Sequence, residues 1–236
     1  MTVEEIMTEL RSKGSESIKK ILLNHGVKEP FFGVKVEHLK TIQKKIKKDY
    51  PLSKELYATG NADAMYLAGL IADDKKMTTA DLQNWVKQAV SLNISEYTVP
   101  WVAAESLHGY ELALLWIDSP KEYIAAAGWA TLSGLVALKE DTELNLASLK
   151  SLLARVVKNI SKTDSRVRQT MNGFVIAVGV YVTPLTEVAI ETAKKVQARI
   201  AEMKGGAPAR LPDAAAYIMK VKAKGGLGKK KKTVKC

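Results

Sequence analysis

The spacing of apolar residues constrains this chain more than any other feature, because it is helical along almost the whole length. Val36, Leu39 and Ile42 recur at intervals of three or four residues, and the same intervals return in 149–157 and 188–196. Such spacing predicts amphipathic helices. No Asn-Gly or Asp-Gly turn joins two alternating runs, so the sequence predicts no β-hairpin. We therefore expect an all-α chain.

One stretch, 174–182, is rich in β-branched residues and by composition alone is also compatible with a strand. It continues an apolar stripe that includes Val167, Met171, Phe174 and Val178 at helical intervals. This continuity favours a helix.

Pairs of predicted helices recur at roughly 35–45 residues, which is the spacing of HEAT-like units. Such units stack into a right-handed solenoid whose concave groove is a natural binding surface. We expect one HEAT-like domain over residues 1–224, followed by a flexible basic tail over 225–236.

The net charge of +11 is concentrated near the end of the sequence. Ten basic residues and one acidic residue lie in 204–236, which gives this segment +9. Four of the ten are consecutive: Lys229, Lys230, Lys231 and Lys232. A basic arm of this kind attracts nucleic acid without regard to sequence, and the alternative is a tail that only improves solubility.

Several classes of site are excluded by residues that the sequence lacks. Cys236 is the single cysteine, which excludes an internal disulfide and a thiolate zinc cluster. His25, His38 and His108 are far apart and fall in no metal-binding pattern, and no nucleotide-binding glycine motif occurs. No apolar run approaches 18 residues, and the N-terminus is acidic. We expect a cytoplasmic monomer without metal, cofactor or membrane association.

A basic helix is predicted from Lys35 onward. Its polar side carries Lys40, Lys44, Lys47 and Lys48. Cations at this spacing can follow the phosphates of a DNA strand. A lysine-rich face that is merely solvated explains the pattern equally well.

The residues before this helix form a short aromatic loop, Phe31-Phe32-Gly33-Val34. A glycine and a lysine at the start of a helix are suited to holding a phosphate. The alternative is a turn in which Phe31 and Phe32 hold neighbouring helices together.

A third motif runs from Glu96 to Glu105 and places Tyr97, Trp101 and Glu105 four residues apart. An aromatic pair beside a carboxylate could stack on a base or stabilise a cationic sugar. A tryptophan buried between helices is the alternative.

A fourth motif occupies 164–174. Arg166, Gln169 and Asn172 fall on one face at the start of a predicted helix, with Arg168 and Phe174 beside them. Arginine and asparagine are common ligands of phosphates and base edges. A structural network between helix pairs is the competing interpretation.

In their order and spacing, these motifs resemble the AlkD-like DNA alkylation repair family over essentially the whole chain. The resemblance rests on 32–35, the helix with Val99 and Trp101, 168–174, and the end from Gly228 to Cys236. It implies a HEAT-like solenoid. Active members of the family excise cationic alkylated purines while gripping the DNA backbone in a basic groove.

The resemblance also implies a missing catalytic group. The catalytic carboxylate of the family lies in a Trp-Asp-x-Val-Asp stretch, which in register with Val99 corresponds to 96–100. Pro100 then stands at the aspartate and Glu96 at a stacking tryptophan, while the groove arginine falls near Gly128 and a second stacking tryptophan aligns with Phe174.

Three functions follow as hypotheses. The first is a protein that binds duplex, damaged or branched DNA with weak or no alkylpurine glycosylase activity. The second is an active glycosylase in which Glu105 or Glu96 supplies the carboxylate. The third is a HEAT-like scaffold for protein partners.

Overall fold

The computed structural model describes residues 1–203 and 211–236, and the regular structure in these ranges is helical. It contains thirteen α-helices: α1 (Val3–Ser12), α2 (Glu16–Asn24), α3 (Val36–Ile46), α4 (Tyr50–Ala58), α5 (Ala62–Ile71), α6 (Thr79–Gln88), α7 (Val99–Glu105), α8 (Gly109–Trp116), α9 (Glu122–Leu138), α10 (Leu146–Asn159), α11 (Ser165–Tyr181), α12 (Thr186–Ala201) and α13 (Ala214–Ala223). The only β contact in the described ranges is an isolated bridge between Gly14 and Val34. The all-α prediction is confirmed, and the β-branched stretch from Phe174 belongs to α11.

The described chain forms two compact units, and the single HEAT-like domain that we expect over 1–224 stays a prediction. The N-terminal unit comprises Met1–Leu112 together with Lys235–Cys236, and the C-terminal unit comprises Ala113–Val234. The last two residues of the sequence therefore belong to the N-terminal unit.

Helix α5 lies at the centre of the N-terminal unit. Nine of its ten residues are buried, because the helix is apolar on all sides and packs against α3 and α4. Asn61 caps its start by accepting hydrogen bonds from the backbone N–H groups of Asp63 and Ala64. The unsatisfied donors of the first turn are thus paired inside the core.

Helices α9 and α11 form the core of the C-terminal unit. Trp129 of α9 and Phe174 of α11 are both fully buried, with their ring centroids 5.3 Å apart. Gly179 lets α13 approach α11 closely, because a Cβ atom there would lie 2.4 Å from the Cδ1 atom of Ile218. The helix that follows the undescribed segment is therefore docked on the core.

Membrane-spanning potential is confined to one bent pair among the described helices. No single one of them is long and apolar enough to cross a membrane. The segments Ser165–Tyr181 and Thr183–Ala201 meet the requirement only when taken together, and a bend of 117° separates them.

The basic end differs from the free arm that we expected over 225–236. Gly225 and Gly228 adopt positive φ angles of 64° and 72°. The N–H of Gly228 donates to the carbonyl of Val180 at 2.8 Å. The ammonium of Lys230 donates to Asp141 at 2.9 Å, and its side chain is 9% exposed.

Charge counting could not anticipate these contacts, because the carboxylate that pairs with Lys230 is 89 residues away in sequence. Lys229, Lys231 and Lys232 remain exposed. Lys204 and Arg210, which belong to the same basic end, lie outside the described residues.

Candidate nucleic-acid interface

The aromatic loop before α3 holds an anion, but the anion is a side chain of the protein. The backbone N–H groups of Phe32, Gly33 and Val34 donate to the carboxylate of Asp63 at 2.6, 3.0 and 3.3 Å. Asp63 is buried, and burial raises its pKa above the ordinary value while the three donors oppose that rise. Phe31 is buried as well. The loop is therefore an internal structural element, and its donors are not available to a phosphate.

Three lysines lie along α3 and directly after it, and we call them the lysine stripe: Lys40 and Lys44 within the helix, and Lys47 at its C-terminal end. Lys40 and Lys44, four residues apart, share a face of the helix, whereas Lys47 follows the last turn with a positive φ of 65°. Lys44 and Lys47 are exposed and Lys40 is half-buried. Within the described residues, none of the three forms an ion pair with a carboxylate.

The remaining lysines around α3 do have carboxylate partners: Lys35 with Glu37 at 3.8 Å, Lys45 with Glu9 at 3.1 Å and Lys48 with Asp74 at 3.1 Å. Acidic side chains thus neutralise the flanks of the helix and leave the charge of the stripe uncompensated. Lys35, Lys40 and Lys44 were all expected at a DNA interface, and the geometry favours the last two.

A π-helical turn, Ile94–Thr98, precedes α7. The N–H of Val99 donates to the carbonyl of Ile94, five residues back. Pro100 has no N–H to donate to the carbonyl of Glu96, so the regular α-helical pattern is interrupted at this point. Proline is tolerated because it lies in the first turn of α7.

This turn helps to assemble three rings, which we call the aromatic cluster: Tyr66 of α5, Tyr97 and Trp101. The ring of Trp101 lies 5.3 Å from Tyr66 and 5.9 Å from Tyr97, in edge-to-face arrangements. Gly69 allows α5 to approach the turn, because a Cβ atom there would lie 2.5 Å from the Cγ2 atom of Thr98. Tyr97 is 48% exposed, so the cluster is accessible from solvent.

No carboxylate stands at position 100. Pro100 is buried in the first turn of α7, and Glu96 and Glu105 lie four residues before it and five after it. Both glutamates are half-buried and both have interaction partners. Glu105, at the end of α7, is close enough to Lys48 to favour the charged form of that lysine.

A buried carboxylate, Asp74, links the region of α3 to the end of the chain. Its two oxygens lie 3.1 Å from the ammonium of Lys48 and 2.6 Å from that of Lys235. Burial lowers the pKa of Lys48, but the hydrogen bond to Asp74 and the nearby acidic charges outweigh burial and raise it. Burial raises the pKa of Tyr66 in the aromatic cluster, and its interaction with Cys236, the next residue, raises that pKa further.

The arginines of the fourth motif act mainly within the protein. Arg168 donates from its guanidinium to the carbonyls of Ile160 and Thr163, at 3.1 and 2.7 Å. Arg166 is half-buried and has its own interaction partner, and its backbone N–H donates to Glu122 at 3.0 Å. These contacts correspond to the competing interpretation of a network that joins neighbouring helices.

Asn172 and Phe174, which we also expected at the interface, are buried. The amide of Asn172 donates to the carbonyl of Pro212 at 3.0 Å, and this bond ties α11 to the segment before α13. Phe174 packs on Trp129 in the core. A helical position that faces the core and one that faces a ligand show the same apolar periodicity, so the sequence pattern did not distinguish them.

No sequence motif indicated three residues of the region: Asp63, Tyr66 and Asp74. Asp63 and Tyr66 lie in a helix that is otherwise apolar, and a buried polar residue in such a helix is the one signal that could have indicated them. The partners of Asp74 are 26 and 161 residues away in sequence, and no local pattern reports such a contact.

Comparison with known proteins identifies the family. A family model described as DNA alkylation repair enzyme matches residues 6–205. An uncharacterised protein of Listeria innocua is 30% identical over 228 residues, covering 94% of this chain and 98% of its own, and one of Listeria monocytogenes is 29% identical over the same length.

A solved structure resembles the whole chain. Its TM-score is 0.90 and its sequence identity is 35%, with both chains covered completely. That protein is described as one of a new family related to the HEAT-like repeat DNA glycosylases, with affinity for branched DNA structures. The all-helical architecture, the ordered motifs and the family match thus agree, and the chain belongs to the DNA alkylation repair family with the HEAT-like repeat fold.

Proposed function

We propose that this protein binds DNA, prefers branched to continuous duplexes, and does not excise alkylated purines by the aspartate route of its family. The observation that carries the proposal is the lysine stripe. Two cations share one face of α3 and a third follows its last turn, and no described carboxylate compensates the three. An uncompensated row of this kind is suited to a polyanion.

The dimensions of the stripe match a nucleic-acid backbone. Lys40 and Lys44 are four residues apart in α3, which corresponds to about 6 Å along the helix axis, and Lys47 extends the row beyond the end of the helix. Successive phosphates of one strand rise by about 3.4 Å along the axis of B-DNA, so three lysines can follow about three phosphates. Contacts of this kind hold the DNA without reading its sequence.

The preference for branched DNA is supported by the 35%-identical structural relative, whose described affinity is for branched structures. The absence of excision is supported by Pro100. Glycosidic bond cleavage needs a carboxylate to stabilise the cationic sugar, and a buried proline cannot supply one.

Gel-shift titration of a four-way junction and of a duplex with the same sequence tests the proposal. We expect tighter binding of the junction and a large loss of affinity for both DNAs when Lys40, Lys44 and Lys47 are all replaced by alanine. The matched control replaces Lys150, Lys158 and Lys195, which are exposed on α10 and α12, and removes the same charge.

Equal affinity for the junction and the duplex would refute the branch preference. Equal losses in the two triple variants would refute the stripe as the binding surface. A wild-type protein that binds neither DNA at low salt would refute DNA binding itself.

A further inference from the structure

The lysine run at 229–232 is fixed on the C-terminal end of α9, inside the C-terminal unit. The N–H of Lys231 donates to the carbonyl of Ala137 at 2.8 Å, and the ammonium of Lys230 donates to that of Val136 at 3.1 Å. The last four carbonyls of an α-helix have no partner within the helix, and this end of a helix attracts a cation. Lys230 and Lys231 therefore cap α9 and are held there.

Two further contacts secure the run. Gly228 lies so close to the turn after α11 that a Cβ atom there would be 2.6 Å from the Oγ1 atom of Thr183. The ammonium of Lys230 lies 2.9 Å from Asp141, which also accepts the N–H of Thr183 at 3.2 Å. The side chain of Lys230 is 9% exposed, and a buried charge is costly unless it is paired. Lys230 is thus neutralised inside the protein and is not available to a ligand.

The other three lysines of the run differ from Lys230. Lys229, Lys231 and Lys232 are exposed, and in the part of the chain that the structure describes no carboxylate pairs with any of them. The ammonium of Lys231 lies 5.8 Å from the ring centroid of Tyr181, which orients this side chain without neutralising its charge. Three uncompensated cations therefore lie within four residues on a backbone that is already ordered.

A short row of fixed cations is suited to the closely spaced phosphates of a DNA strand, which rise by about 3.4 Å each along the axis of B-DNA. A flexible basic segment loses conformational freedom when it binds, and this loss lowers its affinity. A segment that is ordered beforehand avoids most of that loss. Contacts of lysines with phosphates hold the DNA and do not read its sequence.

We propose that Lys229, Lys231 and Lys232 form a second phosphate-binding surface, which we call the lysine strap, and that Lys230 and Asp141 position it without touching DNA. This inference rests on the proposed DNA binding and adds a surface in the C-terminal unit. It also assigns different roles to four consecutive lysines that the sequence presents as equivalent.

The test compares Asp141→Ala with Glu111→Ala, which removes the same negative charge from an exposed position of α8. Attraction by net charge alone predicts equal affinities for a fully paired duplex. The pairing of Lys230 with Asp141 predicts that Asp141→Ala releases the strap. We expect this variant to bind the duplex about fivefold more weakly than Glu111→Ala in gel-shift titrations, because apparent affinity falls with the fraction of molecules in the binding-competent conformation.

A triple variant separates positioning from a general loss of structure. Replacing Lys229, Lys231 and Lys232 by alanine keeps the backbone contacts of the run, and it should make the slope of log K against log salt concentration less steep by about 2.7. Adding Asp141→Ala to this variant should lower its affinity no further, because the three lysines through which Asp141 acts are gone.

A third measurement needs no DNA. Trypsin cleaves after lysine, and cleavage requires that the chain leave its ordered conformation. Mass spectrometry should show faster cleavage within 229–232 in Asp141→Ala than in wild type, and the wild-type rate in Glu111→Ala.

Equal duplex affinities of Asp141→Ala and Glu111→Ala would overturn the inference. So would an unchanged salt slope in the triple variant, a further loss when Asp141→Ala is added to it, or equal trypsin cleavage of Asp141→Ala and wild type. These results would leave the proposed function standing if the wild type binds DNA. Failure of the wild type to bind DNA at low salt would refute the proposed function and the strap together.

Discussion

Replacing Lys47 by glycine is expected to stabilise the protein and to weaken its binding of DNA. Lys47 ends α3 with φ at 65° and ψ at −126°, a conformation that suits glycine and strains other residues. Such strain costs about 1–3 kcal/mol, and glycine adds an entropic cost of about 0.5–1 kcal/mol. The free energy of unfolding should therefore rise by about 1 kcal/mol, even though a cation of the lysine stripe is lost.

The matched control is Lys44→Gly, in the last turn of the same helix. It removes the same charge from the same stripe, but there glycine lowers helical stability by about 1 kcal/mol. Urea unfolding should thus move in opposite directions for the two variants, whereas gel-shift titration should show similar losses of affinity for DNA. A destabilised Lys47→Gly would refute the argument from backbone strain. A DNA affinity of Lys47→Gly equal to that of wild type would refute the place of Lys47 in the DNA interface.

Three further predictions concern stability and chemistry. Burial raises the pKa of Asp81, but hydrogen bonds from Tyr50 and Thr78 and the charge of Lys54 outweigh burial and lower that pKa. Wild type should therefore be more stable than Asp81→Asn at pH 7, and urea titrations should show this advantage disappear as the pH falls below about 3.8. An advantage independent of pH would contradict this. Phe174→Ala should lower the free energy of unfolding by about 3–5 kcal/mol and leave the DNA affinity of the folded protein unchanged. A loss of DNA affinity in the folded variant would instead show that Phe174 takes part in DNA binding. Methylated DNA should release 7-methylguanine at the spontaneous rate in the presence of either wild type or Glu105→Gln. Multiple-turnover release by wild type that Glu105→Gln abolishes would contradict the proposed absence of excision.

The helical architecture was predictable because it depends on local information. Apolar residues at helical intervals define α3 and α11 directly, including the β-branched stretch from Phe174 that also fits a strand by composition. The family resemblance was predictable for a similar reason, since it rests on short motifs in a fixed order.

The candidate site was only partly predictable, because its contacts join residues far apart in the chain. Gly33 and its neighbours were expected to hold a phosphate, and the anion that they do hold is Asp63, thirty residues later. The positive charge of residues 225–236 is apparent from the sequence, but the carboxylates that pair with Lys230 and Lys235 are not. Sequence spacing reports which face of a helix a residue occupies, and it does not report what that face meets.

The salt dependence of junction binding tests the central claim most directly. Each phosphate contact contributes about −0.9 to the slope of log K against log salt concentration for a duplex, so replacing Lys40, Lys44 and Lys47 by alanine should make the slope less steep by about 2.7. Between 50 and 200 mM salt, this difference amounts to about 40-fold in affinity. The control triple variant at Lys150, Lys158 and Lys195 should keep the wild-type slope. Equal slopes for the two triple variants would contradict the assignment of DNA binding to the lysine stripe.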